Sequence, residues 1–101
     1  MLDVMTRLGD VKSLTEQALR ASEADGQASV VLVAVVREFD SKANKASRAR
    51  GESDERDAVI ELEQAGDSAK AAAEADPGAA DTTKQAVLDA HLAICILKTE
   101  L

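Results

Sequence analysis

The chain has 101 residues and a formal net charge of −7. Its length predicts one domain, 1–101, and its acidic balance excludes general affinity for nucleic acid, because phosphate binding needs a net basic surface. Phe39 is the only aromatic residue and Cys95 the only cysteine, which excludes an aromatic core and an internal disulfide.

Breakers at Asp25-Gly26, Gly51-Glu52-Ser53 and Asp76-Pro77-Gly78 divide the chain into four segments. Helices are predicted over approximately 2–24, 28–50, 54–75 and 82–100. In the first segment Val4, Leu8, Val11, Thr15, Ala18 and Ser22 alternate spacings of four and three, one helical stripe. The first thirty residues carry charges throughout, with no signal-peptide hydrophobic block. Gly9 and the capping-box pattern Ser13-Leu14-Thr15-Glu16 supply a rival start near Ser13.

The second segment opens with the apolar run VVLVAVV, residues 30–36. It is β-branched, and far short of the roughly 20 residues that span a bilayer. Val31, Leu32, Val35, Val36, Phe39, Ala43 and Ala46 fall on one arc, with Arg37, Asp40, Ser41, Asn44, Lys45 and Arg48 opposite, so a helix is predicted. Val30, Val33 and Ala34 point away from that arc. Residues 37–50 hold five basic side chains against two acidic ones, and residues 52–76 hold nine acidic against two basic. Charge complementarity along an antiparallel hairpin accounts for this contrast. A basic strip that binds an acidic partner is the sharper alternative.

The third segment begins with acids that suit the positive end of a helix. Its stripe is Val59, Leu62, Gly66, Ala69 and Ala73. The alanine-rich second half predicts a close approach to a neighbour and fraying towards Pro77. The fourth segment starts at Asp81 with a capping-box pattern, Thr82-Thr83-Lys84-Gln85. Val87, Ala90, Ala93, Ile94, Leu97 and Leu101 form its main arc, and Leu88, Leu92, Cys95 and Ile96 a second one. Two apolar arcs mean either that this helix lies deep in the molecule or that its second arc meets another chain.

Short turns between helices of similar length predict an all-α, up-down-up-down antiparallel four-helix bundle. The alternative is a three-helix bundle with a loose N-terminal segment. The surplus apolar residues Val30, Val33, Leu88, Leu92 and Ile96 predict an interface. Their use would be a homodimer, a higher homo-oligomer or an unidentified protein partner, with no nucleic acid and no membrane. A soluble, cytoplasmic, non-enzymatic interaction module is the function expected first.

The only histidine, His91, sits one helical turn before Cys95. On a packing reading, His91 is a part-exposed boundary residue and Cys95 a small buried hydrophobe. On a chemical reading, both reach one soft transition-metal ion, with carboxylates or a second subunit completing the set. That makes a metal- or redox-responsive oligomer the second functional class, otherwise with no cofactor. Catalysis by Cys95 is disfavoured, because an apolar arc raises a thiol's pKa and no third group is recognisable.

The stretch HLAIC, residues 91–95, resembles the His-x3-Cys element of small helical copper-sensing repressors. The resemblance covers these five residues and implies a metal held by His91 and Cys95. That family also needs a second cysteine and a basic DNA-binding surface, which this chain lacks. A lone histidine on a four-helix bundle also resembles histidine-phosphotransfer domains, which implies phosphotransfer through His91. There, a lysine and a glycine keep the backbone open where this chain has Ile94 and Cys95.

Overall fold

The computed structural model describes residues 4–100, leaving aside the side chain of Glu52. They form four helices: α1 (Val4–Ala24), α2 (Val30–Ala46), α3 (Glu52–Ala75) and α4 (Asp81–Thr99). Each packs against two neighbours in a closed ring, α1 on α2 and α4, and α3 on α2 and α4. Consecutive helices reverse direction across short loops, so the molecule is an antiparallel four-helix bundle. Its longest dimension, 40 Å, is set by α3, whose 24 residues rise about 36 Å. Among the described residues no helix is long and apolar enough to cross a membrane.

The stripes read from the sequence form the core. Leu8, Val11, Thr15, Ala18 and Ser22 of α1 face Leu32, Val36, Phe39, Ala43 and Ala46 of α2, all buried. Val59, Leu62, Ala69 and Ala73 close the core from α3, and Val87, Ala90, Ile94 and Leu97 from α4. Phe39, fully buried, brings the tip of its ring against α3 at Gly66. A Cβ added there would stand 3.1 Å from its Cζ and 3.4 Å from Ile94 Cγ2. The close approach expected of α3 is thus made at its glycine as well as along its alanines.

Several local expectations are corrected. Helix α1 runs unbroken through Ser13, Glu16 accepts from Lys12 at 2.6 Å, and Thr15 on the buried stripe donates its hydroxyl to Asp40 Oδ1 of α2 at 2.8 Å. Val31 is 67% exposed. It stands about 100° from Leu32 on the wheel, in a first turn just beyond the Ser29 cap, where the neighbouring helices end. Helix α2 stops at Ala46, four residues early. Its last turn tightens to i+3 bonds, Arg48 N–H to Lys45 and Ala49 N–H to Ala46. Gly51, at φ +87°, then turns the chain into α3. Helix α3 starts at Glu52, two residues early, and ends at Ala75 as read, with Asp76 buried after it. The Thr82–Gln85 capping box is not formed. The N-cap is Ala80, Gln85 donates to Asp89 Oδ1 at 2.8 Å, and Thr83 donates to Asp25 Oδ2 at 2.9 Å. Residues 2 and 3, assigned to the first helix on sequence grounds, and Leu101, placed on the main arc of the fourth segment, lie outside the described residues.

Candidate functional site: an Asp-His-Cys cluster beside an apolar helix face

Helix α4 has a filled face and an open one. Val87, Ala90, Ile94 and Leu97 occupy the core. Leu88, Leu92 and Ile96 stand four residues apart on the outer side, Leu88 half-buried, Leu92 58% and Ile96 45% exposed. The second arc therefore faces outward, and α4 is not deep in the bundle. Val30 is 86% exposed and Val33 half-buried, but both belong to α2, diagonally across the ring from α4. The five residues expected at an interface thus lie as two separate apolar patches, three residues on α4 and two on α2.

His91 lies on the border of the open face that meets α3. Its Nε2 donates to Asp67 Oδ1 at 2.8 Å, and the same nitrogen lies 3.5 Å from Cys95 Sγ. Nδ1 is 3.8 Å from that sulfur. One ligand atom from each residue, a carboxylate oxygen of Asp67, a ring nitrogen of His91 and Sγ of Cys95, lies within 4.8 Å of the other two. Asp67 is exposed, and His91 and Cys95 are half-buried, so the cluster opens to solvent on one side. Just beyond it, Lys98 holds Glu63 at 2.9 Å.

Burial pushes the Cys95 thiol up from its ordinary value, and the nearby Glu63 and Asp67 carboxylates push the same way, with Lys70 and Lys98 opposing. A raised thiol is a poor nucleophile at neutral pH. The ring orientation also differs from a relay. In a nucleophile–histidine–acid triad the acid holds one ring nitrogen and the nucleophile the other. Here carboxylate and sulfur converge on one nitrogen. With Nε2 turned to Asp67, and the side chain 16% exposed, the geometry also gives phosphotransfer through His91 no support.

Asp67 was missed on sequence grounds. The signal for it was the hairpin itself. Reflecting the chain about the turn at Pro77–Gly78 sets position 67 of α3 opposite position 88 of α4, within one helical turn of His91, on the flank where these helices meet.

The charge contrast between α2 and α3 resolves into pairs across their contact. Lys45 reaches Glu61 at 3.2 Å, and Lys42 lies between Glu38 and Glu61. Arg37 turns the other way, to Glu23 of α1. This is the complementary hairpin, built from exposed pairs that each contribute little to stability.

No protein-family model, curated protein or solved structure matches this chain.

Proposed function

We propose that this bundle is a non-enzymatic assembly module that pairs with a second copy of itself through the outer face of α4. The observation that carries the reading is the exposure of Leu92 and Ile96, 58% and 45%, on a helix whose opposite face already fills the core. Together with Leu88 they make one ridge at i, i+4 and i+8, the pattern by which one helix packs on another. A small bundle gains nothing as a monomer from placing Leu or Ile there, since burial is what makes such side chains favourable. An antiparallel pairing centred on Leu92 would set Leu88 of one copy beside Ile96 of the other, a self-complementary arrangement of the commonest symmetric kind. The Val30–Val33 patch on α2 is left free for a different partner protein.

The test is solution mass by light scattering on a sizing column, in reducing buffer over a concentration series, for the wild type and Leu92→Glu. A wild-type dimer that Leu92→Glu converts to a folded monomer supports the reading. A wild-type monomer at every concentration overturns self-association and leaves the face to another protein.

A further inference from the structure

We propose that Asp67, His91 and Cys95 form a three-ligand site for a zinc-class divalent transition-metal ion, joining α3 to α4 and leaving a fourth coordination position open to solvent. The proposal rests on convergence. The three donors come from two helices, yet one ligand atom of each gathers within 4.8 Å of the others. In a tetrahedral zinc site, metal bonds of about 2.0 Å to N and O and about 2.3 Å to S set neighbouring ligand atoms roughly 3.3–3.6 Å apart. The Sγ–Nε2 separation of 3.5 Å already has that value. The Nε2–Oδ1 separation of 2.8 Å is a hydrogen bond that must open by about half an ångström. Asp67 is exposed on α3 and free to make that movement.

The donor set selects the metal class. One thiolate, one imidazole and one carboxylate suit zinc and its neighbours, whereas calcium and magnesium take oxygen. The α3 side supplies two carboxylates near the sulfur, Asp67 as ligand and Glu63 beside it, and their negative field favours a cation. Lys70 and Lys98 oppose it, and Lys98 is itself paired with Glu63. Binding requires one proton balance. The His91 ring moves its proton from Nε2 to Nδ1, which frees the Nε2 lone pair. The Cys95 thiol releases its proton to solvent as the sulfur–metal bond forms, and nothing is oxidised or reduced. With three protein ligands and an open position, the site has the coordination of exchangeable zinc rather than of a closed structural centre.

Cobalt(II) is the probe, because thiolate-bound cobalt absorbs strongly and reports the sulfur directly. The full chain, reduced, is titrated with cobalt(II) and back-titrated with zinc(II). The expected result is one ion per chain, a sulfur-to-cobalt charge-transfer band, and loss of the band on adding zinc. Cys95→Ser abolishes the band. His91→Ala and Asp67→Ala each weaken binding at least about 10–100-fold, the loss that even an outer-shell change brings. Circular dichroism checks that each variant is folded, and the exposed Asp67 supplies a variant outside the core. No band in the wild type, or equal affinity in folded Cys95→Ser and His91→Ala, overturns the proposal. Leu92→Glu retains its cobalt affinity, so the metal site and the assembly face stand or fall separately.

Discussion

Asp25 and Asp76 each close the other's loop. Asp25, between α1 and α2, accepts the Ala80 N–H at 2.8 Å, the Thr83 hydroxyl at 2.9 Å and its own loop's Gln27 N–H at 3.0 Å. Asp76, between α3 and α4, accepts the Ser29 N–H at 2.8 Å and its own loop's Gly78 N–H at 2.9 Å. Ser29 in turn caps α2 through Leu32 N–H, and Ala80 opens α4. Two carboxylates thus fix the starts of two helices at one end of the bundle.

Acid should loosen that end first. Backbone N–H groups, of Ala80 and Gln27 for Asp25 and of Ser29 and Gly78 for Asp76, hold both carboxyls below the ordinary aspartate value. A folded pKa below the unfolded one contributes stability that is complete above the unfolded value, about 3.9. It is lost as pH falls through the lowered folded values. Thermal midpoints of Asp25→Asn and Asp76→Asn should lie below the wild type at neutral pH and converge on it as the solution is acidified below that window. A constant gap at every pH would show that the charged forms contribute nothing.

The same junction makes Gly78 sensitive. A Cβ there would stand 2.5 Å from the Gln27 carbonyl oxygen, which is backbone and cannot swing aside. Gly78→Ala is expected to push the two loops apart, lowering the thermal midpoint and speeding amide exchange at Ser29 and Ala80. At Gly51 nothing stands near an added Cβ, but φ is +87°. Gly51→Ala should therefore cost about 1–3 kcal/mol from backbone strain alone, read by denaturant unfolding, with no change in those two amides.

At Gly66 two opposing effects decide the sign. Alanine gains about 1 kcal/mol of helix propensity over glycine. Against that, its Cβ meets two Phe39 ring atoms at 3.1 and 3.2 Å, and Phe39 has no exposed surface through which to retreat. Overpacking of this kind costs about 1–3 kcal/mol, so Gly66→Ala should be destabilising by about 1 kcal/mol. Adding Phe39→Leu should remove the penalty of the alanine, and a double-mutant cycle measures that coupling. Additive effects would show that ring and glycine do not touch.

Periodicity carried most of the fold. Leu8-Val11-Thr15-Ala18-Ser22 is buried as read, polar members included, because a stripe turned into the core between two neighbouring helices is buried whatever its chemistry. What periodicity could not place was the first turn of α2, where Val31 has the spacing for burial but no neighbour to bury it. Nor could it show that Thr83 would serve Asp25, 58 positions away. The site was half legible. His91 and Cys95 were visible as a pair at i and i+4, while Asp67 belongs to another helix and needed the register of the α3–α4 hairpin.

Leu92 and Ile94 are two residues apart and should respond oppositely to substitution. Ile94 is fully buried, and Ile94→Ala should cost about 2–5 kcal/mol by leaving a cavity. Leu92 points outward, and glutamate has nearly the helix propensity of leucine. Leu92→Glu should therefore change the unfolding free energy of the isolated chain by no more than about 0.5 kcal/mol, the usual range for a surface position. Its wild-type counterpart, if paired through α4, should show a thermal midpoint that rises with protein concentration, because association stabilises the folded state by mass action. The variant's midpoint should not move with concentration. A Leu92→Glu chain as destabilised as Ile94→Ala would place Leu92 in the core and remove the basis for the α4 face. A flat wild-type midpoint beside an undamaged variant would keep the face exposed and assign it to a partner other than the chain itself.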